Sequence, residues 1–268
     1  SMPHDPDVPH LCYCHSPARY IWEQTADYGS GAGGWWRRRA LAAVRSRFQA
    51  WDRRTADRVT RFLANSRHTA DRIERCWSRD AAVIHPPVRT AWFGELPPRP
   101  REEWYLLVSA LEPYKRVDLA IDAARARGCR LKIAGTGSQA AALAERARGS
   151  HVELLGRVSD EALRDLYATA RALWFPQQED FGIVAVEAQA AGCPVIAFER
   201  GGARESLTPT TAEFFEAQST EALAAAVDRF ERRTIDDAAC RANAARFAES
   251  VFDDAMRREI RALLPEWT

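Results

Sequence analysis

The chain has 268 residues, of which 46% are hydrophobic and 28% are charged, and its formal net charge is +1. This composition is typical of a soluble globular α/β protein with one large domain, or a domain and a half. No apolar run is long enough to span a membrane and no signal peptide is recognisable, so we expect a cytoplasmic protein. No nucleic-acid-binding motif is recognisable, and nucleic acid is not an expected partner.

The front of the chain is predicted to hold two short strands and several helices. One strand is expected over residues 9–15 and another over residues 61–64, with helical patterns between them. Asn65-Ser66 then caps a helix that ends near Trp77. We assign these elements to a partial first domain over residues 1–85.

The part after Trp104 has a regular alternation of apolar strands and helices. Five prolines between residues 86 and 100 predict a linker over residues 86–103. We assign residues 104–268, with the C-terminal helices, to one complete Rossmann-like domain with a parallel sheet between two layers of helices. Its predicted strands cover residues 104–109, 130–134, 152–155, 173–175, 195–198 and 213–215.

Residues 35–61 are unusually basic. Nine arginines occur there against two aspartates, and three tryptophans are interleaved with them. A basic amphipathic helix of this kind suits contact with an anionic membrane surface, at the inner face of the cell membrane, or with a lipid-linked phosphate. The alternative is a helix whose arginines are solvated or paired inside the protein. The arginines are Arg37, Arg38, Arg39, Arg45, Arg47, Arg53, Arg54, Arg58 and Arg61.

The most informative feature is a pair of glutamates, Glu179 and Glu187, eight residues apart in a run of small and apolar residues. Glu187 lies in a predicted helix that is apolar around most of its circumference, which indicates burial. Burying an unpaired carboxylate costs several kcal/mol. Glu187 therefore needs a partner, which is either an arginine or a hydroxyl or amine of a ligand.

The position of the pair in the predicted sheet favours a ligand. A buried strand over residues 173–175 precedes Glu179, and the helix that carries Glu187 begins near Phe181 and Gly182. Ligands of open α/β sheets bind outside the carboxyl ends of the strands, where helix N-termini present free N–H groups. We expect the backbone N–H groups of Phe181 and Gly182 to face the same bound molecule as Glu179.

Two cations, Lys115 and Arg116, are predicted at the start of the helix that follows residues 104–109. The N-terminus of a helix is positive, so cations are unfavourable there unless an anion lies between them. A phosphate is one explanation, and two solvated cations are the other. Pro113 is suited to the first turn of that helix.

The segment Gly135-Thr136-Gly137-Ser138-Gln139-Ala140 formally fits a dinucleotide-binding fingerprint, because it follows a strand and opens a helix. It supports an alternative function, a nicotinamide-dependent oxidoreductase. The acid expected at the end of the next strand is missing, since Glu153 lies near that strand's start. A turn that needs two glycines is the better interpretation.

The run EDFGIVAVEAQAAGCPVIAFERGGARESL resembles the E-x7-E signature of retaining glycosyltransferases of family 4, which have the two-domain GT-B fold. The resemblance continues, in the family's order, through LCYCHSPARYIWEQTADY, LANSRHTADRIERCW, VIHPPV, SALEPYKRVDLAIDAA and LLGRVSDEALRDLYATARAL. It is strongest to bacterial mannosyltransferase-like members that assemble surface polysaccharides. The implied donor is GDP-mannose, and the implied acceptor is a glycan or a lipid-linked molecule.

The resemblance implies roles for individual residues. Glu179, Lys115 and His15 would be catalytic: Glu179 bonds the donor sugar, Lys115 the diphosphate, and His15 approaches the sugar from the first domain. Glu187 would hold the ribose of the nucleotide. An arginine usually lies five residues before the lysine, and here that position is Ala110. The implied donor-binding set is Lys115, Arg116, Gly135, Gly137, Arg157, Val158, Glu179, Phe181, Gly182, Ile183 and Glu187, with Gly156 beside the base and Gly201-Gly202 near the phosphates.

The same resemblance implies a reaction that retains the anomeric configuration through a front-face route, without a cofactor and without a metal. The D-x-D sequence typical of metal-dependent GT-A enzymes occurs only as Asp5-Pro6-Asp7, in the N-terminal tail. The six cysteines are scattered and form no metal-ligand cluster.

Relative to the family, the chain is expected to lack most of the βα units of the first domain, so that apolar surface would favour a homo-oligomer or a partner subunit. Three interpretations therefore stay open. The chain is an active glycosyltransferase, a nucleotide-sugar-binding half that needs a partner, or the oxidoreductase.

Overall fold

The computed structural model describes residues 8–22, 35–97 and 99–265. The chain forms two compact units, Ser1–His85 together with Asp254–Thr268, and Pro86–Asp253. In the described part of the chain, no helix has both the length and the apolar character needed to cross a bilayer.

The first unit contains a three-stranded parallel sheet in the order β1-β2-β3. Its strands are β1 Leu11–Cys14, β2 Arg61–Ala64 and β3 Ala81–Val83. Its helices are α1 Arg19–Trp22, α2 Trp35–Ala56 and α3 Arg67–Trp77.

Helix α3 begins where the sequence places its cap. The side chain of Ser66 accepts a hydrogen bond from the Thr69 N–H at 3.0 Å, which satisfies one of the unpaired donors at the helix start. The helix ends at Ser78, whose left-handed conformation with φ of 54° lets its N–H bond back to Glu74 O. Ile73 on the inner face of α3 is fully buried against the sheet residues Phe62 and Ala64.

The second unit contains a six-stranded parallel sheet in the order β6-β5-β4-β7-β8-β9. Its strands are β4 Trp104–Val108, β5 Arg130–Ala134, β6 Val152–Gly156, β7 Leu173–Phe175, β8 Val195–Phe198 and β9 Ala212–Phe215. Its helices are α4 Thr90–Gly94, α5 Val117–Arg127, α6 Ala140–Ala147, α7 Asp160–Thr169, α8 Ile183–Ala190, α9 Ala203–Ser206, α10 Thr220–Glu231 and α11 Asp237–Ala244. The last helix, α12 Glu249–Leu263, begins in the second unit and has most of its residues in the first.

Both faces of this sheet are buried, as is usual for parallel sheets covered by crossover helices. Side chains alternate along each strand, so Leu173 and Phe175 of β7 enter one core cluster and Trp174 enters the other. The first cluster also receives Phe93 of α4 and Tyr167 of α7. These layers make the sheet a fixed platform for the loops at its carboxyl end.

The structure confirms the predicted α/β fold with parallel sheets and most of the predicted strands. Four strands, over residues 61–64, 130–134, 173–175 and 195–198, have the predicted bounds. The sequence analysis missed β3, whose three residues are half-buried and too few to form a periodic pattern. Residues 86–103, predicted as a linker, include helix α4 and the buried side chains of Val88 and Phe93.

One predicted helix start is wrong. Residues Pro113–Lys115 form a separate 3₁₀ turn, and α5 begins only at Val117. Arg116 between them is left-handed, with φ of 54°, and this conformation interrupts the helical path. Lys115 therefore lies in a turn before the helix and not in its first turn.

The turn after β5 depends on glycine for a steric reason. A Cβ on Gly137 would lie 2.5 Å from Leu111 O and 2.6 Å from Leu111 C, and a Cβ on Gly135 would lie 1.8 Å from Ser109 O. Backbone packing against the loop after β4 thus accounts for both glycines of the G-x-G sequence.

We expect Gly137→Ala to lower the free energy of unfolding by more than about 2 kcal/mol, because one backbone segment must move away from the other. Gly128→Ala is the matched control, since its Cβ would meet nothing within 4 Å and only the φ of +64° is unfavourable. That variant should lose about 1 kcal/mol. Urea unfolding measures both values, and equal losses would contradict the packing explanation.

Candidate active site

The strand order of the second unit reverses between β4 and β7, which are neighbours in the sheet although two strands separate them in sequence. The chain leaves β4 toward one side and β7 toward the other, which opens a crevice at their carboxyl ends. Such a switch point is where open α/β sheets bind ligands. Lys115 follows β4 and Glu179 follows β7, so the fold brings both to this crevice.

Lys115 and Glu179 form a direct ion pair, in which Lys115 Nζ donates to Glu179 Oε1. Their side chains are 14% and 26% exposed, so the pair is largely withdrawn from water but open on one side. Gln177, which is buried, donates from Nε2 to the same Glu179 oxygen at 3.4 Å. The Lys115 ammonium also lies 5.1 Å from the centre of the Tyr114 ring.

The backbone of Glu179 is locked to the loop after β8. Glu179 pairs with Gly201 in a parallel bridge, and Gly202 N–H donates to Glu179 O at 2.9 Å. A Cβ on Gly201 would lie 2.2 Å from Glu179 O, and one on Gly202 would lie 2.2 Å from Phe181 Cα. The glycine pair therefore permits an approach of two backbones that no other residue type allows.

Glu187 lies in α8, eight residues beyond Glu179 in sequence, and it is half-buried. Its Oε2 accepts a hydrogen bond from the Tyr167 hydroxyl at 3.2 Å. Burial raises the pKa of Glu187, and the Tyr167 hydrogen bond and the charge of Arg89 oppose that rise. The direct partner of this carboxylate is thus a buried tyrosine, and the arginine acts only at longer range.

Arg89 is held in place by an ion pair and two rings. Its Nη2 lies 2.7 Å from Asp160 Oδ2, and its guanidinium lies 4.7 Å from the Trp92 ring centre and 5.8 Å from that of Phe93. Glu187 in turn contributes to the raised pKa of Arg89, after the larger effect of Asp160.

Hydrogen bonds connect the segments at the carboxyl ends of β4, β5 and β6 to one another. Gly135 N–H donates to Gly156 O at 2.8 Å, and Leu111 N–H donates to Thr136 O at 2.9 Å. Glu112 accepts from the N–H and the hydroxyl of Ser138 at 2.9 and 2.6 Å, and these bonds lower the pKa of Glu112. The Glu112 carboxylate is thus committed to fixing this loop.

Four other predicted site residues lie in or next to the elements at the carboxyl end of this sheet. Arg157 is exposed and Val158 half-buried, directly after β6, which is the edge strand two places from β4. Arg116 faces Asp118, with Nε 3.6 Å from Oδ1. Ile183 is 42% exposed at the first position of α8.

Two predicted features remain, one in the first unit and one in the N-terminal tail. His15 is exposed directly after β1 in the first unit, and its ring makes an edge contact with Tyr13 at 5.2 Å. Asp5-Pro6-Asp7 lies outside the described residues.

Sequence analysis did not single out Tyr167, Arg89 or Gln177. Tyr167 has no local signal, because a lone tyrosine on an amphipathic helix is usually a core residue. Arg89 lies in the stretch predicted as a linker. Gln177 does carry a signal, since it is polar, lies two residues after the end of a buried strand and stands two residues before Glu179.

Residues 88–247 match the family model of glycosyl transferases group 1, which covers more than half of the chain. The chain therefore belongs to that family. It is also 36% identical, over 104 residues, to an uncharacterized glycosyltransferase of Methanocaldococcus jannaschii. That match covers 37% of this chain but only 30% of the archaeal protein.

Solved structures of similar fold include a sucrose-phosphate synthase from Thermosynechococcus elongatus, with a TM-score of 0.74 and 20% identity over 96% of this chain and 68% of that one. Another is HepE of Anabaena in complex with UDP and glucose, with a TM-score of 0.71 and 17% identity over 94% of this chain and 71% of that one. These likenesses support the GT-B type of α/β fold.

The Lys115–Glu179 pair predicts a coupled effect on stability. We expect Lys115→Met to lower the free energy of unfolding at neutral pH by about 1–3 kcal/mol, because the Glu179 carboxylate loses its partner in a poorly hydrated place. Adding Glu179→Gln should restore most of that loss. Urea unfolding of the wild type, both single variants and the double variant measures the coupling. Losses that simply add would show that the two side chains do not interact.

Proposed function

We propose that this chain is a retaining glycosyltransferase that transfers a sugar from a nucleotide-sugar donor. The finer form of the proposal is transfer of mannose from GDP-mannose to a glycan or lipid-linked acceptor during surface polysaccharide synthesis. The observation that carries it is the pairing of Lys115 with Glu179 at the switch point of a six-stranded parallel sheet, with Glu187 eight residues further on.

In the proposed donor site, Lys115 and Glu179 change partners when the donor binds. Without a ligand, Glu179 neutralises Lys115; with a donor bound, Lys115 turns to the diphosphate and frees Glu179 to accept hydrogen bonds from sugar hydroxyls. The exchange replaces one charge-assisted contact with another, so neither charge is left unpaired. Glu187 is proposed to bind the ribose.

The proposed chemistry is a front-face transfer in which the leaving diphosphate accepts the proton of the acceptor hydroxyl. Lys115 and the N-terminus of α8 stabilise the negative charge that develops on the diphosphate as the sugar–oxygen bond breaks. The proposal assigns this role to protein groups and calls for no metal or cofactor. His15 is proposed to approach the donor sugar.

The donor is tested by calorimetric titration of the chain with GDP-mannose, GDP, UDP-glucose and NAD. UDP-glucose is included because HepE, which has a similar fold, was solved with UDP and glucose. We expect selective binding of GDP-mannose and GDP. Glu187→Gln keeps the acceptor for Tyr167 but removes the charge that faces the ribose, so it should weaken GDP binding by about tenfold or more.

Glu161→Gln is the control, because Glu161 is an exposed carboxylate on α7. It should bind GDP as the wild type does. Preferential binding of UDP-glucose would replace the proposed donor, and binding of NAD alone would favour the oxidoreductase. Donor binding without transfer to any glycan acceptor would favour a donor-binding part that acts only with a partner subunit or a second copy.

We also propose that α2 contacts an anionic membrane surface, where a lipid-linked acceptor would be found. One face of α2 is committed to the protein: Asp52 accepts hydrogen bonds from the indole N–H groups of Trp22 and Trp77 at 2.8 and 2.7 Å, and Arg45 donates to Ile21 O at 2.6 Å. These contacts fix which face of the helix turns outward.

The outward face carries an apolar stripe flanked by cations. Val44, Phe48 and Trp51 are 50%, 52% and 54% exposed and follow one another at helical spacing. Arg47 and Arg54 are exposed beside them on the helix, and Arg58 is exposed just after its end. Aromatic side chains next to arginines are suited to the headgroup region of an anionic bilayer.

Co-sedimentation with vesicles of phosphatidylcholine, with and without phosphatidylglycerol, tests this contact. We expect binding only with the anionic lipid, weakening as salt rises, and reduced about tenfold or more in Phe48→Ser/Trp51→Ser. Tyr114→Ser removes an aromatic side chain of equal exposure, 50%, outside α2 and should leave binding unchanged. Equal sedimentation of all three proteins would refute the contact.

A further inference from the structure

The Glu187 carboxylate is hydrogen-bonded on one side. Its Oε2 accepts from Tyr167 at 3.2 Å, whereas Oε1 has no hydrogen-bond partner among the residues that the structure describes. Glu187 itself is half-buried, but Oε1 is not among the buried polar atoms that lack a partner, so water or a ligand can reach it. The two oxygens therefore have different tasks: one is fixed by the protein and the other is available.

Tyr167 is an unusually rigid donor. Its side chain is 0% exposed and lies in the core cluster of the second unit, where its ring makes an edge contact with Phe93 at 5.7 Å. Close packing holds the ring in one orientation, so the direction of the hydroxyl is set by the core. Glu187 Oε2 is the acceptor that the hydroxyl reaches.

The charges around Glu187 come from three further groups. Arg89 favours the ionised carboxylate, Asp160 opposes it, and Glu249 acts on Arg89. Because Asp160 neutralises much of Arg89 through their ion pair, the direct hydrogen bond from Tyr167 is the stronger local support for the ionised form.

We propose that Tyr167 is a positioning residue for nucleotide binding: its hydroxyl holds Oε2 of Glu187 so that Oε1 faces, and accepts from, the ribose hydroxyls of a nucleoside diphosphate. The inference rests on the proposed function, because it needs a nucleotide at this site. It adds a residue outside the binding surface, buried in the core, that acts only through Glu187.

The variant Tyr167→Phe removes the hydroxyl and keeps the ring that packs on Phe93. The Glu187 carboxylate then loses a fixed orientation and a hydrogen bond that favours its charged form. Two consequences follow: Oε1 is no longer aligned with the ribose, and the pKa of Glu187 rises further. Affinity that depends on ionised Glu187 is lost as pH falls through this pKa, so the loss must begin at a higher pH in the variant.

Calorimetric titration with GDP and UDP, and with their 2′,3′-dideoxy forms, tests the inference across a range of pH. We expect Tyr167→Phe to bind the preferred diphosphate about tenfold more weakly than the wild type. The dideoxy form, which lacks the ribose hydroxyls, should bind equally to both proteins. The pH at which affinity falls by half should be higher in the variant.

Tyr105→Phe is the matched control. Tyr105 is also a buried tyrosine whose hydroxyl donates to a glutamate, Glu231, but it belongs to the core cluster on the other face of the sheet. This variant should lose stability without a change in affinity or in the pH at which affinity falls. The carboxyl resonance of Glu187, followed by NMR against pH, should show a pKa higher than that of the wild type in Tyr167→Phe and an unchanged pKa in Tyr105→Phe.

Equal affinity of wild type and Tyr167→Phe would overturn the inference. So would an equal loss with the dideoxy ligand, which would mark a general structural defect, or an unchanged pKa of Glu187. A wild type that binds neither diphosphate would instead refute the proposed function, and this result is distinct from equal binding by the two proteins.

Discussion

The reversal of strand order between β4 and β7 is the constraint on which the site depends. Lys115 and Glu179 are 64 residues apart in sequence, yet they form an ion pair because each follows one of these two neighbouring strands. A sheet wound in one direction only would have packed the two following segments side by side, without a crevice.

The two glutamates of the E-x7-E sequence are stabilised in different ways. Glu179 is partly exposed and faces a cation and an amide, so its charge is balanced where it lies. Glu187 has a neutral phenol as its direct partner, and burial raises its pKa. A carboxylate in such surroundings lowers the stability of the fold, and this cost is the physical reason for proposing that it binds a ligand.

Backbone contacts hold the loops at the carboxyl end of the sheet close together. The loops after β4 and β5 lie so close at Gly135 and Gly137 that neither position has room for a Cβ, and the same holds for the loops after β7 and β8 at Gly201 and Gly202. Backbone hydrogen bonds join each pair of loops, from Leu111 N–H to Thr136 O and from Gly202 N–H to Glu179 O, so their backbones are held in place. Preorganised groups stabilise developing charge without paying for rearrangement.

The sequence by itself determined most of the strands and the starts of α3 and α8, because short apolar runs, Ser66 and Gly182 act through neighbours in the chain. It also determined that Glu187 needs a partner. Only the tertiary structure decided that this partner is Tyr167 and that the charge of Arg89 acts on the same carboxylate. Those outcomes depend on contacts between segments distant in sequence, and a single tyrosine or arginine leaves no local pattern from which such contacts can be predicted.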